Sequence, residues 1–339
     1  QNLTKCQKSA KGKQSAKAYE QHGYITMQLT RIFGSLADTY GHIIKTNLAE
    51  VDFKDIDSTE AKKLIDFVIE DRQNPTNENL SKTVVMKFDE PSTRTKVSFS
   101  TASNKLGLYQ IDLTKENTSS KKGESLKDEL TTLIDLDVDV LVLRTSSDDK
   151  DLYDNFNEIG IISAGFGKVS HPTQAFVDSS TIISNDEFDY KKPFVFCGDL
   201  KHSRVFHSAI ELFPKLGIEI GICAPEEFLP ENFNDYILFE NIDEAIEKSS
   251  GIEILRVQKE RIENSENFNL NNFVKNFQLN KDKIDKASEK LMVLHPMPMN
   301  IGIEIDNYAA ENFRMHHRKQ LSFGISARKI ALKYSLGLT

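Results

Sequence analysis

Short, nearly uninterrupted apolar runs recur along this chain at 83–88 (TVVMKF), 108–113 (LYQIDL), 138–144 (VDVLVLR), 160–165 (GIISAG), 193–200 (PFVFCGDL), 218–225 (IEIGICAP), 251–256 (GIEILR) and 291–298 (LMVLHPMP). Between them, apolar positions fall at helical spacing. Val97, Ala102 and Leu106 form one such set, ended by Gly107; Leu126, Leu130, Leu133 and Ile134 form another. Further helices are predicted over 172–183, 203–217 and 242–250. Apolar strands separated by amphipathic helices predict parallel sheets covered on both faces. The polar stretch 184–193 (SNDEFDYKKP) interrupts the alternation and divides it into two units, 43–184 and 185–318. The expected fold is therefore α/β, with two doubly wound parallel-sheet domains and no clear internal repeat.

In such sheets ligands bind beyond the carboxyl ends of the strands. The residues in those positions are consistently cationic or polar. Ser92, Thr93, Arg94 and Thr95 follow the first run, and Arg144 ends the third. His171 and Gln174 come after the fourth, Lys201 and Arg204 after the fifth, Arg256 and Gln258 at and after the seventh, and His295 within the last. The chain as a whole is acidic, with a net charge of -8 over 339 residues. That contrast predicts a shared crevice for small anions. Ser92 to Thr95 also stand where a helix begins, so unpaired backbone N–H groups and the helix dipole favour a phosphate there. An ordinary N-cap made by one hydroxyl is the alternative for this motif taken alone. Glu90 is expected to orient a neighbouring arginine.

The remaining composition narrows the function class. Length predicts about two domains. The three cysteines form no CxxC pair, so neither a disulfide framework nor a zinc site is expected, and the expected location is the reducing cytoplasm. No apolar stretch is long enough to suggest a membrane span, and the negative charge argues against a general nucleic-acid binder. Residues 1–42 read as an N-terminal extension, a flexible tail or a leader.

FDEPSTRT (88–95) resembles the carbamoyl-phosphate signature F-x-E-x-S-x-R-T of the transcarbamoylases. The blocks KKGES, HPTQ, GDLKHSR, RVQKER, HPMP and QLSFGISARKIA follow in that family's order, over about residues 45–335. HPMP and RVQKER are similar to the aspartate branch rather than the ornithine branch. The resemblance implies a carbamoyl-phosphate domain followed by an aspartate domain, and a C-terminal helix, 319–339, returning to the first. It implies transfer of the carbamoyl group of carbamoyl phosphate to L-aspartate, a step of pyrimidine synthesis, with no cofactor and no metal.

Both substrates are dianions near neutral pH, and each close pair of like charges costs about 4 kcal/mol at an effective dielectric near 20. Several fixed cations are therefore required. By the resemblance, Ser92, Thr93, Arg94, Thr95, Arg144 and Lys122 hold the phosphate, with Ser119 or Thr118 beside Lys122. Thr95, Arg94 and His171 point donors at the carbonyl oxygen, and Gln174 accepts from the carbamoyl NH2. Lys122, Arg204, Arg256 and Gln258 hold aspartate, and the backbone carbonyl near Met297 accepts from its amine. Glu90 and Arg261 are the expected domain-closure pair. The family's lysine loop reaches into a neighbouring subunit's site, which implies a homotrimer with shared active sites; regulatory chains are a possible further partner. Ser100, Thr145, Phe166 and Ser170 depart from the commonest family residues at positions around the primary ligands.

Overall fold

A computed structural model describes residues 56–114, 124–146, 158–167, 170–257 and 268–339. The first domain opens with helix α1 (Ser58–Gln73). Strand β1 (Thr83–Phe88), helix α2 (Thr93–Lys105), strand β2 (Tyr109–Leu113), helix α3 (Leu126–Asp135), and strands β3 (Val140–Thr145) and β4 (Gly160–Phe166) follow. Helix α4 (Pro172–Ile183) leads to the second domain. That domain contains β5 (Phe194–Cys197), α5 (Arg204–Leu212), β6 (Ile220–Cys223), β7 (Ile237–Phe239), α6 (Ile242–Lys248) and β8 (Gly251–Ile254). It continues through α7 (Leu270–Phe277), α8 (Lys281–Ile284), β9 (Met292–Leu294) and α9 (Asn307–Ala310) to the long α10 (His317–Ser335).

Every strand pairing between these elements is parallel. The first sheet has the order β2-β1-β3-β4 and the second β7-β6-β5-β8-β9. In each, the chain departs from a central strand to one side and then returns to add strands on the other. The two switch points lie between β1 and β3 and between β5 and β8. A crevice forms at such a point because the loops leaving neighbouring strands turn to opposite faces. β5, β6, β8 and β9 are buried along their whole length, as covered parallel strands should be.

The edges depart from the sequence pattern. β2 is largely exposed, with Tyr109 at 66% and Ile111 at 46%. β7 has only three residues, two of them exposed, too short an apolar run to stand out in the sequence. Val97, expected on the buried face of α2, is exposed, while Ala102 and Leu106 are buried as expected, together with Thr95, Phe99 and Ser103. The apolar core runs continuously from Val84 and Phe99 to Phe194 and Phe206, so both domains pack on one another through α4 and α5.

Helix α10 packs on α1, α2 and α4 and so returns to the first domain. Two lysines fix it there. Buried Lys329 pairs with Asp71 and donates to the carbonyl of Thr76 at 2.7 Å, and Lys333 pairs with Glu78 at 3.0 Å. None of the helices among the described residues is long and apolar enough to cross a membrane.

Candidate active site

The carboxyl ends of β1, β3, β5, β8 and β9 open on one cleft of about 500 Å³, lined from both domains and by α10. Ser92 is the N-cap residue of α2, yet its side chain makes no capping hydrogen bond. The first-turn N–H groups, which most helices satisfy with a cap, here face a cavity. His171 likewise precedes α4 without a side-chain cap. Arg94 projects from the first turn of α2, and burial together with the nearby charge of Arg256 lowers its pKa. Thr95 is buried beside it.

Arg144 lies where the β3–β4 register shifts, an irregularity of the kind that re-aims a side chain at a sheet's rim. Its Nη1 donates to the carbonyl of Ala164 at 2.9 Å, and its Nε lies 3.4 Å from Glu90 Oε2. Gly165 gives the guanidinium its room: with φ at +126°, it would place a Cβ only 2.7 Å from Arg144 Nη1. Burial, then the charge of Arg204, pushes Arg144 down to about 10, against the opposing pull of Glu90.

Arg204 begins α5 in the second domain but reaches the first. Its Nη1 donates to the Gly167 carbonyl at 3.0 Å and to Glu90 Oε2 at 3.1 Å. Arg256 follows β8, and its Nε is buried with no hydrogen-bond partner. The switch point of the second sheet is tight: a Cβ on Gly198 would meet the carbonyl oxygen of Leu255 at 2.5 Å. Leu255 N–H donates to the Cys197 carbonyl at 2.7 Å, holding the exits of β5 and β8 together. Arg204 and Arg256 thereby share one cleft.

The His171 ring is buried, and its Nδ1 has no partner. Desolvation, then the charges of Arg144, Arg328 and Arg204, hold its pKa well below 6.5. His171 is therefore a neutral imidazole at physiological pH. Its backbone N–H donates to Ser208 Oγ of the second domain at 2.8 Å. Gln174, one helical turn on, also lines the cleft.

The HPMP segment forms the far wall. His295 is inaccessible and shapes the turn, with Nδ1 accepting from the N–H of Met297 at 2.8 Å and Nε2 turned to Glu304 at 3.5 Å. Met297 has a left-handed backbone, φ 61°, and borders the cleft. Asn300 Nδ2 donates to the Val257 carbonyl at 2.6 Å, tying this wall to the segment after β8.

The structure thus gathers Ser92, Thr93, Arg94, Thr95, Arg144, His171, Gln174, Arg204, Arg256 and Met297 around one space, with Glu90 between two of the arginines. Lys201 is exposed and takes no part in the lining. Ser119, Lys122, Gln258 and Arg261 lie outside the described residues. Further lining residues carried no sequence assignment. Asp199 and His202, joined at 2.8 Å, follow β5, and Gln320, Gly324 and Arg328 are spaced four apart on α10. That spacing was the available signal, since it puts three non-apolar positions on one helix face. Among the described residues no group of three or more His, Cys, Asp or Glu could hold a metal ion.

The carbamoyl-P binding domain of the aspartate/ornithine carbamoyltransferases matches residues 50–184, and the Asp/Orn binding domain of the same family matches residues 191–335. An aspartate carbamoyltransferase catalytic subunit from Staphylococcus carnosus is 35% identical over 291 residues, covering 84% of this chain and 94% of the relative. The solved aspartate transcarbamoylase of Trypanosoma cruzi, in complex with carbamoyl phosphate, superposes with a TM-score of 0.74 at 26% identity, covering 86% of this chain and 96% of that one. Ornithine carbamoyltransferase from Pyrococcus furiosus reaches the same TM-score at 23% identity, covering 86% and 97%, so the fold is common to both acceptor branches. With both domains matched in order and the strand-end cations gathered in one cleft, this chain belongs to the aspartate/ornithine carbamoyltransferase family and is a carbamoyl-transferring enzyme.

Proposed function

We propose that the cleft joins carbamoyl phosphate to L-aspartate, giving N-carbamoyl-L-aspartate and phosphate, in the cytoplasm and as a step of pyrimidine synthesis. The observation that carries this reading is the meeting of Arg94, Arg144, Arg204 and Arg256, two from each domain, at the uncapped start of α2. Four guanidinium groups crowd together in an acidic protein, and burial, then the charge of a neighbouring arginine, lowers the pKa of two of them, Arg94 and Arg144. Such an arrangement is stabilised by two dianionic substrates.

In this reading the domain of 43–184 holds carbamoyl phosphate. The N–H groups and hydroxyls of Ser92 to Thr95, with Arg94 and Arg144, grip the phosphate. The amine of aspartate attacks the carbonyl carbon, and the charge growing on the carbonyl oxygen meets Thr95, Arg94 and the neutral donor His171. The C–N bond forms, the bond to the phosphate oxygen breaks, and phosphate leaves carrying the amine proton, so no protein base is needed. Arg204, Arg256 and Gln258, from the domain of 185–318, hold the two carboxylates, while a carbonyl near Met297 accepts from the amine. Glu90 and Arg261 act in domain closure.

Lys122, with Ser119 or Thr118, comes from the neighbouring subunit of a homotrimer. The exposed apolar side chains of Tyr109 and Ile111 on the edge strand β2 support such an assembly, since an uncovered edge strand is otherwise an aggregation site. The test is a colorimetric assay of carbamoyl products from carbamoyl phosphate and a panel of amines. Product with L-aspartate and none with ornithine is the expected result; the reverse would reassign Arg204 and Arg256.

A further inference from the structure

Beneath the cleft floor, a single carboxylate oxygen joins the two halves of the site. Oδ1 of Asp178, on α4, accepts from Gln174 Nε2 and from Gln320 Nε2, each at 2.8 Å. Gln320 Oε1 in turn accepts from the backbone N–H of His295 at 3.0 Å. Asp178 is fully buried and its Oδ2 has no hydrogen-bond partner.

This chain of bonds determines which way each amide faces. Reversing Gln320 would set an oxygen against Asp178 Oδ1 and an NH2 against the His295 N–H, losing both bonds. Reversing Gln174 would likewise oppose two oxygens. Burial lifts the Asp178 carboxyl to about 7 against the pull of both amides and Arg328, yet neither protonation state disturbs the arrangement. A proton would sit on the unpartnered Oδ2, leaving Oδ1 an acceptor. Gln174 must therefore keep its NH2 on Asp178, leaving Oε1 as its remaining polar atom, and Oε1 has no donor among the described residues.

A fixed acceptor in that position favours a ligand group that donates. The NH2 of a carbamoyl group does so; the methyl of an acetyl group and the anionic oxygen of a carboxyl-phosphate do not. We propose that Asp178 is a positioning residue for acyl-group selectivity, holding the Gln174 amide so that the cleft accepts a carbamoyl phosphate and rejects acyl phosphates lacking the NH2. The inference rests on the reading above that Gln174 faces the carbamoyl group. Sites built to pair a substrate N–H reject analogues without it far more strongly than apolar pockets reject isosteres.

The test is the ratio of kcat/KM for carbamoyl phosphate to that for acetyl phosphate, with L-aspartate as acceptor and both products quantified by mass spectrometry. In Asp178→Ala the Gln174 amide is free to rotate, and the ratio should fall about tenfold, the scale of one lost hydrogen bond. Asp178→Asn keeps an acceptor oxygen in place and should retain the wild-type ratio within about threefold. A structural role alone would lower both activities together and leave the ratio unchanged. Gln174→Leu separates the two claims. If it loses discrimination while Asp178→Ala does not, Asp178 has no positioning role; if it keeps discrimination, Gln174 does not face the carbamoyl group. Asp178→Ala leaves buried Arg328 without its countercharge. Should that variant not fold, the double variant Asp178→Leu/Arg328→Met removes both charges and reads the same ratio, which should again fall; an unchanged ratio there overturns the proposal.

Discussion

Glu90 Oε2 stands 3.1 Å from Arg204 Nη1 and 3.4 Å from Arg144 Nε, so one carboxylate atom of the first domain serves a guanidinium from each domain. Burial, then the charge of Arg204, lowers the pKa of Arg144, and Glu90 opposes that shift. Glu90→Gln preserves size and removes the charge that keeps Arg204 near the phosphate domain. Its kcat/KM for aspartate should fall about tenfold, the lower end for a charged hydrogen bond that is partly solvated. Calorimetric affinity for carbamoyl phosphate should change by less than about threefold. An equal loss in both measurements would make Glu90 a support of the whole cleft.

His171 acts as a neutral hydrogen-bond donor. Burial, then the charges of Arg144, Arg328 and Arg204, hold its pKa well below 6.5, so the ring keeps its one N–H and does not change charge as pH rises from neutrality. His171→Ala should lower kcat about 10²–10³-fold, the usual cost of removing one oxyanion donor. The shape of the kcat–pH profile should stay the same. Disappearance of a limb near pH 6.5 in the variant would instead identify His171 as a general base.

Arg256→Ala should separate aspartate from phosphate recognition. The guanidinium lies beyond β8 in the second domain, its Nε buried and unpartnered. Losing a charged contact in a desolvated site costs upwards of about 1.5–3 kcal/mol. The KM for aspartate should therefore rise by more than about tenfold, while calorimetry with carbamoyl phosphate stays near wild type.

Subunit exchange tests the shared site. Arg94→Ala chains and Lys122→Ala chains should each be nearly inactive alone. Mixed trimers should recover activity, because some interfaces then combine an intact Arg94 with an intact Lys122. Verified exchange without recovery would mean that each site is built within one chain.

Glu60, in the first turn of α1, predicts a pH effect on stability away from the cleft. Burial raises its carboxyl from 4.5 to about 7, partly offset by Lys63, and its Oε1 is buried without a partner. The folded chain thus holds this proton more tightly than the unfolded one. The associated stability is present below pH 4.5 and is lost as pH rises through 7. Glu60→Gln should raise Tm by about 2–4 °C at pH 8 and leave it nearly unchanged at pH 4. A shift of equal size at both pH values would point to packing rather than titration.

Much of the site was legible because parallel strands covered on both faces are written as continuous apolar runs. The residue after each run is therefore identifiable as a crevice residue before any contact is known. Arg94, Arg144, His171, Arg204 and Arg256 were found in this way. β7 and Val97 mark where the method weakens. A three-residue edge strand leaves no apolar run, and one branched residue on a helix does not reveal which side of the helix meets the sheet.

Asp178 and Gln320 were not legible, although each sits at helical spacing from a cleft residue. They lie 142 positions apart and meet only because α10 returns across α4. An acid within a helix ordinarily faces water, and nothing local says that this face is covered by another helix. The sequence by itself determined every strand but β7, their order along the chain and the cations at their carboxyl ends, since apolar periodicity and local turn chemistry are short-range properties. Only the tertiary structure decided which strands are neighbours, which cations share a cleft and which way the Gln174 amide must face. Those follow from hydrogen bonds and burial between segments distant along the chain, 142 residues apart for Asp178 and Gln320 and 114 for Glu90 and Arg204, which no local pattern encodes.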